Sequence, residues 1–336
     1  MSLLKLSLRR CTVFAILFVF VIAAMAASAG DREIKIKIAE YPTSFDFNCP
    51  QGAAWEINGS MGKITTADRC QVTGVLTAKA VKRYHVMVLS ASLEDEDVLA
   101  AEQAKWQAQG LSARIVIIGS EIFADDSKTV IIDNRRADVA VGVFPDRPSA
   151  QAMVDKLAAQ GQSSWIYEEI VSLAKGSLTL KINGQVMATG PDMLLQPQQS
   201  LHLKKVEYGK GYSWHGYADR DYTGRTLLVR WGAQDAIDCI LVAGLEYMLP
   251  GVVVSEISAK AEVGALQAQA VAARGEIMAN IGVRHAQEGF DTCSEQHCQV
   301  FYGDTAYTID VGRKIVPTSG QVLTETNGKL LSAVYS

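Results

Sequence analysis

Glu256 is the one acidic residue in the apolar run 251–257 (GVVVSEI), and His285, Cys293, His297 and Cys298 follow it closely. A carboxyl group beside Val252, Val253, Val254 and Ile257 loses solvation of its charged form, so its pKa should rise. A carboxyl raised in this way can give up a proton near neutral pH, as the general acids of glycoside cleavage do. The plainer alternative is a solvent-facing or helix-capping glutamate. Most glycosidases use two carboxylates; Asp291, Glu246 and Glu295 are candidates for the second, and their spacing selects none of them. The two histidines and two cysteines form a set that zinc favours, and four ligands close its tetrahedron, which implies a structural ion rather than a catalytic one. A Cys293–Cys298 disulfide is the competing use of the same sulfurs.

These groups need a scaffold. Leu266, Ala270, Ala273, Ile277 and Ile281 recur at helical spacing on one face, so a helix is expected between the carboxylate and the Cys/His cluster. The small residues Ala265, Ala268, Ala270, Ala272 and Ala273 let that helix pack close to neighbouring backbone. Arg274 near its end reads either as a substrate contact or as a structural ion-pair partner. Gln299 and Tyr302 offer an amide and an aromatic face suited to a hydroxyl-rich ligand, or else complete the core.

Residues 251–256, the run ALQAQAVAAR at 265–274, His285, Phe290-Asp291, Cys293, His297-Cys298-Gln299 and Tyr302 together resemble the stage II sporulation protein D (amidase enhancer) family of peptidoglycan-acting proteins. Val254 stands where family members have proline, Gly264 where they have an acidic residue, Gln267 where they have lysine, and Gly275-Glu276 where they have Thr-Tyr. The resemblance implies lytic transglycosylase chemistry at Glu256, in which the sugar's own C6 hydroxyl replaces water and a 1,6-anhydro ring forms. It also implies zinc at the Cys/His cluster. Relatives continue with a glycine- and serine-rich stretch after the position of Ser336, so the chain is expected to be C-terminally incomplete.

Lys5, Arg9 and Arg10 precede an uncharged run at 11–30 that ends in Ala27-Ser28-Ala29. That pattern reads as a secretory signal peptide, residues 1–29, with a retained membrane anchor as the alternative. Export to the periplasm or cell envelope follows, with no membrane span after cleavage. The net charge of −4 lacks the basic footprint of a nucleic-acid binder. A hydrophobic content of 49% with 20% charged residues suits a folded chain. An export compartment permits Cys49 and Cys70 to pair, while Cys239 reads as a buried small apolar residue.

The expected fold is α+β: a β-rich domain with a catalytic-helix subdomain and an inserted small βαβ repeat module. Residues 30–83 form the N-terminal β-rich part, 84–170 the insert, and 171–336 the main peptidoglycan-acting domain. Alternating residues at 33–39, a hairpin turn at Asn58-Gly59 and another at Asn183-Gly184 mark the β-rich parts. Further strands are expected at 201–206, 226–230 and 237–242, and a short helix at 245–249 broken by Pro250. The insert reads as strand 85–89, helix 94–109, strand 113–118, then strand 138–144, helix 149–160 and strand 165–170. Glycine after Ala-Gln stops each helix, at Gly110 and Gly161. Val139 to Phe144 followed by Ala150, Ala152, Leu157 and Gly161 resembles the sporulation-related repeat family, which implies binding of peptide-free glycan strands; a purely structural insert is the alternative. Tyr222-Thr-Gly224 resembles a further signature of the peptidoglycan family, and the tail reads as a hairpin around Asn327-Gly328.

Three functions follow as expectations. The first is an exported lytic transglycosylase that cleaves denuded glycan strands with Glu256 as acid and base. The second, favoured by the departures at Val254, Gly264 and Gly275-Glu276, is a non-catalytic glycan-binding enhancer of a partner cell-wall amidase. The third is a zinc-dependent hydrolase.

Overall fold

The computed structural model describes residues 32–123, 130–223, 226–324 and 330–331. The expected signal peptide, Gly224 of the Tyr-x-Gly signature and the Asn327-Gly328 turn lie outside the described residues. The fold is α+β and strand-rich, with several sheets.

Strand Glu33–Tyr41 alternates exposed and buried residues, as its sequence pattern dictates. It lies in a seven-stranded sheet, antiparallel to Ile237–Gly244 on one side and parallel to the two-residue strand Thr292–Cys293 on the other. Thr226–Trp231, Asp192–Pro197, Ala53–Ile57 and Ser60–Ile64 complete that sheet. A six-stranded sheet runs Gln185–Gly190, Lys175–Ile182, Cys70–Ala78, Ser44–Asn48, Ser200–Tyr208 and Gly216–Thr223. Both sheets feed one hydrophobic core: Ile36, Leu195 and Leu227 from the first, Val72, Leu178 and Leu203 from the second. Each such side chain contributes about 1.5–3 kcal/mol by leaving water. The two Asn-Gly pairs turn their hairpins with positive φ at both residues, 49° and 77° at Asn58-Gly59 and 51° and 84° at Asn183-Gly184, the backbone that matches strand twist.

Between the paired strands Cys70–Ala78 and Lys175–Ile182, the chain builds a separate four-stranded sheet in the order Trp165–Ser172, Val81–Ala91, Arg136–Phe144, Ala113–Ile118. Helices α1 (Glu96–Ala108) and α2 (Arg147–Ala159) pack against it through Leu99, Trp106, Ala150 and Leu157. Asp146 caps α2 by accepting a bond from the Ser149 amide, and Gly110 and Gly161 lie just past the two helices at φ 79° and 75°. A hairpin, Glu121–Phe123 with Val130–Asp133, is an addition that the sequence pattern does not announce.

Three helices follow the last long strand: α3 (Leu245–Glu256), α4 (Val263–Asn280) and α5 (Ala306–Ile315). The expected break at Pro250 does not occur; α3 continues through it to Glu256. An internal proline forfeits a backbone hydrogen bond and crowds the preceding turn. Burial of Gly251, Val252 and Val253 offsets that loss. The expected buried face of α4 is observed, with Leu266, Ala270, Ala273 and Ile277 all 1% exposed or less. Cys49 and Cys70 are both buried free thiols rather than a disulfide, and burial pushes each up to about 12. Cys239 is fully buried, as its apolar neighbours suggest.

Candidate functional site

Glu256 is the last residue of α3, seven positions before α4 opens at Val263. The helix end, the α3–α4 turn and the loop before α5 enclose a cleft of about 480 Å³. Ser255 and Ser258, on either side of Glu256 in sequence, line it together with Arg220, Val254, Tyr302 and Tyr307. The Glu256 side chain is exposed and is not itself among the residues that line the cleft. Partial burial among apolar neighbours still lifts its carboxyl above the usual range. No carboxylate stands among the described residues that line this cleft.

Tyr302 is half-buried in the cleft wall. The Arg220 guanidinium lies over its ring, 4.1 Å from the centroid, a cation–π contact. Burial, and the charges of Glu295 and Glu256, outweigh Arg220 and raise the Tyr302 phenol, so Glu256 lies within electrostatic reach of that ring.

Arg274 is placed elsewhere. It is 0% exposed, and its Nε and Nη2 donate to the two carboxylate oxygens of Glu246 at 2.7 and 2.9 Å while Nη1 donates to the Gln321 carbonyl at 2.7 Å. This is the structural ion-pair use of the residue, and it occupies Glu246 as well. Gln299 is buried, 7% exposed, and does not line the Glu256 cleft. Asp291 accepts from the Lys35 amide at 2.8 Å, and Glu295 lies beside the Cys/His loop. Neither candidate second carboxylate lines the Glu256 cleft.

The four soft ligands do converge. One donor atom from each of His285, Cys293, His297 and Cys298 lies within 4.8 Å of the others. His285 Nε2 is 3.2 Å from Cys298 Sγ and 3.3 Å from His297 Nε2, and Cys293 Sγ is 3.5 Å from His297 Nε2. Corners of a zinc tetrahedron with bonds of about 2.0–2.3 Å lie roughly 3.3–3.8 Å apart, so the donor set fits the ion. The Glu288 carboxylate meets His285 Nδ1 at 2.8 Å, which leaves Nε2 for the metal and fixes the ring. Burial alone would lower the His285 imidazolium, but the bonds to Cys298 and Glu288 prevail and hold it up at about 9. Cys298 is driven towards thiolate by Cys293, His285 and His297, while Cys293 is driven the other way. Cys293 sits on the strand paired with Glu33–Tyr41, opposite Lys37. An ion here would therefore tie the loop after α4 to the seven-stranded sheet.

Metal analysis is expected to find one zinc per chain, and chelation to lower the thermal midpoint and open residues 281–298 to protease. Thiol titration that found Cys293 and Cys298 already oxidised, with no response to chelator, would replace the ion by a disulfide.

Sequence reasoning missed Arg220 and Glu288. Arg220 meets Tyr302 from another element, 82 positions away, so spacing carried no signal for it; Glu288 lies only three residues after His285, and that i,i+3 spacing was a signal left unread. Tyr307 in the cleft wall was missed as well.

Comparison with curated proteins and with solved structures finds no match. Residues 233–331 match the model of the SpoIID family, described as Stage II sporulation protein. That segment holds α3, the Glu256 turn, α4 and the Cys/His loop, and the match supports the SpoIID family for it.

Proposed function

We propose that this chain is an exported peptidoglycan lytic transglycosylase acting on peptide-free glycan strands. The SpoIID match is consistent with a cell-wall-related sporulation protein, and among the described residues no helix is long and apolar enough to cross a membrane. The observation that carries the finer reading is a single raised carboxylate, Glu256, in the segment 254–258 that walls an aromatic-lined cleft whose own described lining holds no carboxylate. Hydrolysis by the usual route takes two; intramolecular transfer takes one.

Protonated Glu256 gives its proton to the glycosidic oxygen as the C1–O bond breaks. The muramic C6 hydroxyl attacks C1 from the same residue, and its proton passes to the Glu256 carboxylate. The anhydro ring closes, no water is consumed, and the acid is restored. Tyr302, backed by Arg220, offers a ring face to the sugar. Zinc, held by His285, Cys293, His297 and Cys298, would serve as a cross-link of the loop. Residues 84–170, read as a glycan-binding insert, would raise the local concentration of the same polymer.

Incubation of the full chain with denuded glycan, followed by mass spectrometry, is expected to show 1,6-anhydro-muramic ends. The general acid must start protonated, so the rate should fall as pH rises through the raised pKa of Glu256, on the less acidic side of an ordinary glutamate's. Bound strands of unchanged length would instead favour the non-catalytic enhancer of an amidase, a reading to which the exposure of the Glu256 side chain lends weight.

A further inference from the structure

We propose that the hairpin joining Ser200–Tyr208 to Gly216–Thr223 is a second saccharide-binding platform, which carries a glycan strand outward from the Glu256 cleft. The proposal rests on the transglycosylase reading for its substrate class. Four aromatic rings form a continuous row. Tyr302 in the cleft wall meets Tyr208 at 6.3 Å between centroids, Tyr208 meets Trp214 at 6.3 Å, and Trp214 meets Tyr212 at 5.1 Å. The last two contacts are near-parallel, at 19° and 23°. Arg220 bridges the start of the row, over both Tyr302 and Tyr208 at 4.1 and 5.4 Å.

The outer rings are in water: Tyr212 is 52% exposed and Trp214 44%. Large aromatics left in solvent lose the burial that normally stabilises them, and here the backbone is shaped to keep them there. Gly209, at φ 67°, lies so close under the Trp214 ring that a Cβ would stand 2.4 Å from it, and a Cβ on Gly216 would stand 2.7 Å from the Tyr208 hydroxyl. Gly209 thus admits the Trp214 ring against the chain, and Gly216 the hydroxyl end of Tyr208. Tyr212 reaches the neighbouring cavity, whose polar lining includes Glu207, Lys210 and Glu295.

Flat aromatic faces with a polar fringe suit a pyranose, which presents C–H bonds on its ring faces and hydroxyls at its edge. A β-linked glycan strand is the occupant that also continues from the cleft. Strand alternation puts Arg220 on one face and Tyr217 on the other, so Tyr217, 61% exposed and set against His215, is outside the row.

Binding of denuded glycan strands to the full chain, measured by titration calorimetry in a Glu256→Gln background, tests the platform. Tyr212→Ala combined with Trp214→Ala is expected to weaken strand binding about tenfold with no change in thermal midpoint. Tyr217→Ala should bind as the parent does, and Trp214→Phe should restore most of the loss. A disaccharide, too short to leave the cleft, should bind all variants equally. Equal strand affinity across the variants overturns the platform, as does loss of binding to a protein partner in place of glycan. Trp214-dependent binding without any anhydro ends in the parent enzyme would remove the catalytic reading and keep the platform. Anhydro ends formed with strand affinity unchanged in the double variant would do the reverse.

Discussion

Glu256→Gln is expected to slow the formation of anhydro-muramic ends about 1,000-fold, within the range a positioned general acid supplies. The amide keeps the shape of the side chain and removes only its proton traffic. Because the Glu256 side chain is exposed, unfolding should shift by no more than about 0.5 kcal/mol, so a loss of rate would not reflect a loss of fold. Product mass spectrometry under conditions where the parent is linear in time gives the ratio. A variant as fast as the parent would move the chemistry off this residue, whatever the family resemblance implies.

Arg274→Ala should be the most destabilising single change in the helical part, by about 3–5 kcal/mol, the cost of breaking a buried charge pair from one side. Two bonds to Glu246 and one to the Gln321 carbonyl disappear together, and the Glu246 side chain, 20% exposed, keeps its charge without the partner. Lysine cannot make the two-pronged contact, so Arg274→Lys should recover little. Removing both charges with Arg274→Leu and Glu246→Leu should recover much of the loss. Urea unfolding monitored by circular dichroism reads all four proteins. If Arg274→Ala unfolded at the parent's midpoint and lost glycan affinity instead, the substrate-contact reading of this residue would be restored.

Periodicity made much of this architecture legible. The buried face of α4, the helices stopped at Gly110 and Gly161, and both Asn-Gly hairpins follow from local rules that tertiary packing does not contradict. Pro250 shows where local rules fail: the proline alone argues for a break, but the burial of Val252 and Val253 decides otherwise. Glu256 therefore closes one helix instead of heading the next. The Cys/His cluster was legible because ligand chemistry restricts which residues can serve, even with His297 and Cys298 adjacent. Arg274 was ambiguous for a physical reason: its partner, Glu246, lies 28 positions away, and nothing in either segment marks the pairing. The aromatic row was present in the text as YGKGYSWHGY, residues 208–217, where glycines alternate with rings. Its meaning depended on where the hairpin lands relative to Tyr302.

The Asn134 side chain, in the link between strands Val130–Asp133 and Arg136–Phe144 of the segment built between Cys70–Ala78 and Lys175–Ile182, donates to the Ala279 carbonyl at 3.0 Å and the Ile281 carbonyl at 2.7 Å. The trailing carbonyls of a helix need outside donors, and α4 borrows one from a residue more than a hundred positions upstream. Excising the intervening sheet is thus not the pruning of an appendage. A shortened chain would leave the tail of α4 frayed and slacken the run that leads to His285, so its lost activity would say little about glycan affinity in the removed part. Replacing Asn134 alone, with the sheet intact, separates the two effects.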